Sequence, residues 1–232
     1  MADYETQIVV IAGGPSGLSA AVQAAEDGAE VIVVEKAAAV GGAANMGMGP
    51  LGIGTKYQKQ NMIDISVEKA FNMFMEYTHY NVDARLVKRY FEQSGETIEW
   101  LEDMGVRFAG AFRYFPKSEQ TWHICMTDHG IGRGAASYMV KALMNRASEL
   151  GVEVLLETPG TGLVMEDGKL AAVMAKDKSG EEIRINCKAV IVATGGAGDN
   201  PQVIKAETGF EYGVNMFNFA IPGLKGDGIR ML

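Results

Sequence analysis

The sequence predicts an α/β protein built on a parallel sheet, with a helical excursion after the second strand and a β-meander before the last. Three observations predict it. Short β-branched runs without polar alternation stand at residues 7–12, 30–35 and 189–193, as expected for strands buried on both faces. Helical periodicity fills much of the chain between the second and third runs. Strands punctuated by Asp167-Gly168 and Ser179-Gly180 turns lead up to the last.

Composition sets outer limits. With 232 residues, 47% hydrophobic and 22% charged, the chain can bury a sizeable core, and no apolar run reaches the ~18 residues of a membrane span. A formal net charge of −8 argues against nucleic acid as a partner, because that affinity comes from Lys and Arg displacing counterions along phosphates. Residues 1–5 lack the basic and apolar regions of a secretion signal, so a cytoplasmic chain is expected, with an upstream leader left open. Cys125 and Cys187 form neither a CxxC pair nor metal-ligand spacing, and neither a thiol mechanism nor a metal site is expected.

In chain order, the strand at 7–12 runs into Ala12-Gly13-Gly14-Pro15-Ser16-Gly17. A helix of small residues follows, Gly28 closes it, and a second strand ends at Glu35. Right-handed crossover makes this a βαβ unit of a Rossmann-like sheet, with the glycine turn at the carboxyl edge. Residues 36–56 are rich in Gly, Ala and Met, too apolar for a solvated linker and suited to packing against something flat. The excursion, about 57–150, shows helical spacing in Val67, Phe71, Phe74 and Met75, then in Leu86, Tyr90 and Phe91, then in Ile98 and Leu101, and is expected to pack on the sheet. A helix at 134–150 and a strand at 152–156 return the chain to the sheet. The meander, about 161–187, precedes the strand that runs into Ala193-Thr194-Gly195-Gly196.

The first turn carries the chemistry. A dinucleotide turn must be tight, must let a pyrophosphate approach the backbone, and must let helix and strand pack closely, while the helix N-terminus faces the phosphates. Gly14 and Gly17 suit the second and third demands. Ala12 stands where the first glycine usually is, so the match is incomplete by one position. Glu35, about 20 residues on, is placed to accept both hydroxyls of an adenosine ribose and disfavours a 2′-phosphate.

Glu35-Lys36 followed by Gly41-Gly42, then Ala193-Thr194-Gly195-Gly196, then Gly226-Asp227-Gly228, resemble in order the motifs of the flavoprotein family of fumarate reductase, succinate dehydrogenase and related soluble enoate reductases. The resemblance spans essentially the whole chain and implies a glutathione-reductase-like FAD/NAD(P)-binding fold over 1–232. It implies FAD as cofactor, hydride transfer between flavin N5 and an activated C–C bond, and a small-molecule substrate of the full-length protein, an enoate or dicarboxylate first, with ketosteroids also handled by related flavoproteins and the discriminating residues outside this chain. It also assigns cofactor contacts to Ala12, Gly13, Gly14, Pro15, Ser16, Gly17, Glu35, Lys36, Gly41, Gly42, Ala43, Ala44, Met48, Gly49, Gly162, Ala193, Thr194, Gly195, Gly196 and Asp227. Respiratory members carry a flavin-linked histidine at about the position of Ala43, and no histidine occurs from Met1 to Thr78, so the FAD is expected to be non-covalent.

Residues 127–135 resemble the family's glycine-rich approach to a helix near the flavin edge. His79, His123, His129 and Arg133 have no spaced partner that suggests a triad or a metal, and are expected to be structural. No catalytic residue is carried over, because in the family these lie beyond the Gly-Asp-Gly turn and on a capping domain; a truncated chain is expected. The electron-transfer partner is not readable. Two other readings stay open from the residues alone: an NAD-dependent dehydrogenase domain, which leaves the second Gly-Gly corner and the meander without a purpose, and a non-catalytic nucleotide-binding domain.

Overall fold

The computed structural model describes all residues except Met1, Asn218 and Ala220. In chain order its elements are β1 (Ala2–Glu5), β2 (Ile8–Ile11), α1 (Pro15–Glu26), β3 (Val31–Val34), α2 (Lys56–Gln60), α3 (Val67–Tyr77), α4 (Ala84–Asp103), β4 (Phe108–Phe112) and β5 (Trp122–Cys125). They continue as α5 (Ser137–Glu149), β6 (Glu153–Leu155), β7 (Gly160–Glu166), β8 (Lys169–Lys176), β9 (Glu182–Asn186), β10 (Ala189–Val192), α6 (Pro201–Thr208) and α7 (Asp227–Met231). Two compact units result: residues 1–43 with 144–232, and residues 44–143.

The first unit is centred on a parallel sheet of order β10-β2-β3-β6. Val9, Ile11, Ile32 and Val34 point to one face and form a core with Val173, Ile183 and Ile185 of a second sheet, order β1-β9-β8-β7. On the other face α1 packs on β2 and β3, burying Leu18, Ala21 and Val22 completely. Burial on both faces is why β2 and β3 lack polar alternation, whereas β10, expected to be buried likewise, is the edge strand of this sheet, with Ala189 exposed and Val190, Ile191 and Val192 half-buried. Each buried Val or Ile of β2 and β3 contributes roughly 1.5–3 kcal/mol by leaving water.

The predicted βαβ unit, the meander and the last parallel strand are all present within a few residues of their expected bounds. The sequence reading missed β1, β4, β5 and the helices α6 and α7. β1 pairs in parallel with β9, Ala2 opposite Ile183 and Glu5 opposite Asn186; a polar four-residue edge strand has little periodicity of its own and forms because a partner is offered. β4 and β5 pair antiparallel inside the expected helical excursion. The nine residues between them give no two-residue hairpin signal.

The second unit has its own core, with Ile53, Ile65, Ala70 and Phe91 at its centre. Its helices start where polar side chains supply the amide acceptors that a helix lacks at its first turn. Ser66 Oγ accepts from Lys69 N–H at 3.1 Å, Asp83 Oδ1 from Arg85 and Leu86 N–H at 2.9 and 3.2 Å, and Thr55 and Gln58 form a reciprocal capping box. The backbone at 48–50 runs beside β5: Cys125 N–H donates to Met48 O and His123 N–H to Pro50 O, both at 2.8 Å. Gly49 is required there, since a Cβ would stand 1.9 Å from His123 O.

His123 is fully buried, with Nε2 2.7 Å from Thr55 Oγ1 and Nδ1 3.0 Å from Thr121 O. A neutral ring donating from Nδ1 and accepting at Nε2 satisfies both contacts. Burial holds its pKa below the ordinary imidazole value, against the opposing pull of the Thr121 carbonyl and the Glu102 charge. The unfolded chain therefore takes up a proton near pH ~6.5 that the folded chain refuses. The stability this residue contributes is complete above that pH and is lost as pH falls toward the lowered folded value, at no more than about 1.4 kcal/mol per pH unit. Urea midpoints measured at about pH 7.5 and about pH 5.5 should show this loss in the wild type and a smaller one in His123→Asn.

Candidate functional site

The site is a cavity of about 890 Å³ at the carboxyl edge of the parallel sheet, lined entirely by residues of the first unit. That volume is in the range of roughly 300–1,000 Å³ usual for small-molecule and cofactor sites. Ligands collect at such edges because strand ends and helix N-termini present unpaired backbone groups there.

The first corner is the turn between β2 and α1. Ala12 N–H donates to Val34 O at 2.8 Å, and Ala12 has a φ of +86°, in the left-handed region where glycine is at ease and alanine is strained. The residue occupying the missing glycine position thus adopts the conformation a glycine would take. Gly17 has no room for a side chain: a Cβ would stand 1.9 Å from Ala12 O and 3.3 Å from Ala193 Cβ. Gly14 is the opposite case. It lines the cavity, a Cβ there would meet no protein atom within 4 Å, and among the described residues no side chain caps α1.

Glu35 is buried at the end of β3, and its carboxylate is gripped by the backbone. Gly13 N–H donates to Oε2 and Ala37 N–H to Oε1, each at 2.7 Å. One acid therefore holds the glycine turn and the start of the next loop in register, while each oxygen keeps a further lone pair for a ligand hydroxyl. Gly41 N–H donates to Gly13 O at 2.8 Å, and Gly42 lies with its Cβ position 3.7 Å from Gly14 Cα, so the second glycine pair closes on the first turn.

The second corner lies directly beside the first. β10 pairs with β2, Val192 opposite Ile11, and Ala193 N–H continues the ladder to Ile11 O at 3.0 Å. Ala193, Thr194 and Gly195 consequently line the same cavity as Ala12, Gly14, Pro15 and Ser16. Thr194 Oγ1 also accepts from Gly228 N–H at 3.0 Å, which brings in the third motif. Asp227 lines the cavity with Oδ2 2.7 Å from Lys36 Nζ and Oδ1 2.6 Å from Arg230. Burial pushes its pKa up, but the hydrogen bonds and charges of Lys36 and Arg230 outweigh that and hold it below the usual carboxylate range.

Of the residues singled out from sequence, Glu35, Lys36, Gly42 and Ala43 complete the set on the cavity wall. Gly13, Gly17, Gly41 and Gly196 shape the turns behind it. Gly162 lies in β7 opposite Met174, just past the lining residues Pro159, Gly160 and Thr161. Ala44, Met48 and Gly49 belong to the second unit. The sequence reading missed Ile11, Val34, Ala37, residues 159–161, Asn200, residues 221–225, Arg230 and Met231, which line the cavity as well. Pro159-Gly160 and Pro222-Gly223 are turn signals that could have marked two of these walls.

Comparison with known proteins agrees with this geometry. The family described as "FAD binding domain" matches residues 7–232, and the chain belongs to that family. The chain is 34% identical over 206 residues to vinyl phenol reductase of Lactiplantibacillus plantarum, a match covering 88% of this chain and 40% of that protein. Among solved structures it is similar to the open conformation of a flavocytochrome c3 fumarate reductase, at 26% identity and a TM-score of 0.86, over 98% of this chain and 40% of the other. It is equally similar, at 26% identity and a TM-score of 0.86, to 3-ketosteroid-Δ4-(5α)-dehydrogenase from Rhodococcus jostii RHA1, over 100% of this chain and 54% of the other. The chain thus spans about 40% of the length of the vinyl phenol reductase it matches. Family membership selects FAD over a nicotinamide dinucleotide and makes this an FAD-binding domain of fumarate-reductase-like flavoenzymes.

Two substitutions probe the first corner. Ala12→Gly relieves the positive φ and should raise stability by about 1 kcal/mol, read from the urea midpoint. Gly17→Ala drives a Cβ into a backbone carbonyl and should cost about 2–3 kcal/mol by the same measurement.

Proposed function

We propose that this chain holds FAD non-covalently as part of a flavin-dependent oxidoreductase, and that the full protein reduces an activated C–C double bond in an enoate or dicarboxylate. The convergence of two strand-end turns and Glu35 on one cavity carries the reading. In that reading the amides of the 12–17 turn and the start of α1 face the diphosphate, and Glu35 accepts the ribose hydroxyls with the lone pairs its backbone partners leave open. Thr194 and Gly195 border the same diphosphate from the neighbouring strand end. Ala43, on the cavity wall, offers no nucleophile for a covalent tether.

Bound FAD would supply two-electron chemistry at its N5, accepting or donating a hydride. The chain's own residues bind and orient rather than transfer protons. Lys36, Arg230 and Asp227 hold one wall, and the apolar lining from Ile11, Val34 and Leu224 excludes water from the nucleotide. Relatives named as fumarate reductase, urocanate reductase and NADH:acrylate oxidoreductase support the substrate class. All residues 1–232 then form one FAD-binding domain, with the second unit as an insertion in it.

Titration of the chain with FAD, followed by flavin fluorescence, tests this. Saturable quenching is expected, with FAD recovered intact on denaturation. Gly14→Val, whose side chain projects into open cavity rather than into protein, should leave the urea midpoint nearly unchanged and weaken FAD by about 100-fold, or about 2.7 kcal/mol. Failure of the wild-type chain to take up any flavin would sink the proposal.

A further inference from the structure

We propose that Lys36 is a positioning residue that latches the 221–231 segment over the cavity, so that cofactor retention depends on its ion pair with Asp227. The inference rests on the FAD reading given above and goes beyond it, to how one wall of the site is kept closed.

The segment supplies a whole side of the cavity, including Pro222, Leu224, Asp227 and Met231. Much of its attachment is charged. Lys225 pairs with Asp199 at 2.8 Å, Arg230 with Asp227 at 2.6 Å, and Lys36 with Asp227 at 2.7 Å. Further hydrogen bonds run from Gly228 N–H to Thr194 Oγ1 at 3.0 Å, Gly223 N–H to Asp199 Oδ2 at 2.9 Å, Asn200 Nδ2 to Lys225 O at 2.9 Å, Asp199 N–H to Leu224 O at 2.9 Å and Gly226 N–H to Gly196 O at 3.2 Å.

Lys36 differs from the other cations in where it starts. It follows Glu35 directly, at the end of the strand that carries the ribose acid, and reaches across 191 positions of sequence to Asp227. The same ammonium donates to Gly223 O, so one side chain fastens two points of the wall. Gly223 has a φ of +91°. A left-handed turn at this glycine is part of how the wall presents that carbonyl.

Charge gives the latch a second role. Asp227 stands on the wall of the cavity, and the cations beside it offset its negative charge in a site proposed to take an anionic cofactor. Lys36 and Arg230 neutralise it and hold it ionised. Removing the lysine alone should therefore do more harm than removing both partners' charges. The pair is also partly exposed, at 40% and 26% of the two side chains, so it is screened by salt and can open and close.

FAD affinity by fluorescence, and trypsin cleavage after Lys225 or Arg230 in the cofactor-free chain, test the latch together. Lys36→Met should weaken FAD by roughly tenfold, and Lys36→Met with Asp227→Asn should be no weaker than Lys36→Met alone. Lys36→Arg should stay near wild type. Cleavage should quicken severalfold in Lys36→Met and remain slow in Lys36→Arg. Additive losses in the double variant, or equal cleavage rates in Lys36→Met and wild type, would overturn the latch. Should the wild type bind no flavin, the FAD reading fails by itself, and the cleavage rates still decide whether Lys36 holds the wall.

Discussion

The site depends on one pairing, that of β10 alongside β2. It joins residues 189–192 to residues 8–11, far apart in the chain, and sets Ala193 beside the Ala12 turn. Without it the first glycine turn would be an ordinary strand-to-helix connection with an acid nearby. With it, residues from two strand ends line one cavity at the carboxyl edge of the sheet. The pairing is stabilised from both faces of the sheet, by α1 and by the meander, so the corner rests on the buried core of the first unit.

Glu35 ties that framework to the loop that follows β3. A buried carboxylate is costly unless its oxygens are partnered. Here the amides of Gly13 and Ala37 do this, and the same bonds lock the turn between β2 and α1. The carboxylate holds the two backbone segments together and is oriented by them. The backbone at Ala12 carries the opposite sign, since its positive φ is retained where a glycine would sit without strain.

The second unit shows the same economy of polar groups in a different setting. The buried side chains of His123, Thr55 and Gln58 are hydrogen-bonded to one another and to the carbonyls of Gly52 and Thr121, which is a structural arrangement and not an exposed acid or base. Burial likewise raises the Cys125 thiol to about 11 and pushes Cys187 up, so neither sulfur is poised as a thiolate. Among the described residues no helix is long and apolar enough to cross a membrane.

Local readings were legible in the residues: three parallel strands, of which β2 and β3 are buried and β10 is a half-buried edge, the glycine turn with its helix, the acid at the end of the second strand, and the meander. Each follows from periodicity or turn chemistry within a dozen residues, where steric and solvation rules act directly. The motif order also carried the family. Tertiary structure alone decided that β1 joins the meander, that Glu35 is shared by two amides, that Lys36 meets Asp227, and that residues 221–225 wall the cavity. Those features unite groups up to 191 positions apart, and their free energy exists only after the chain has closed the intervening loop, so no local pattern announces them.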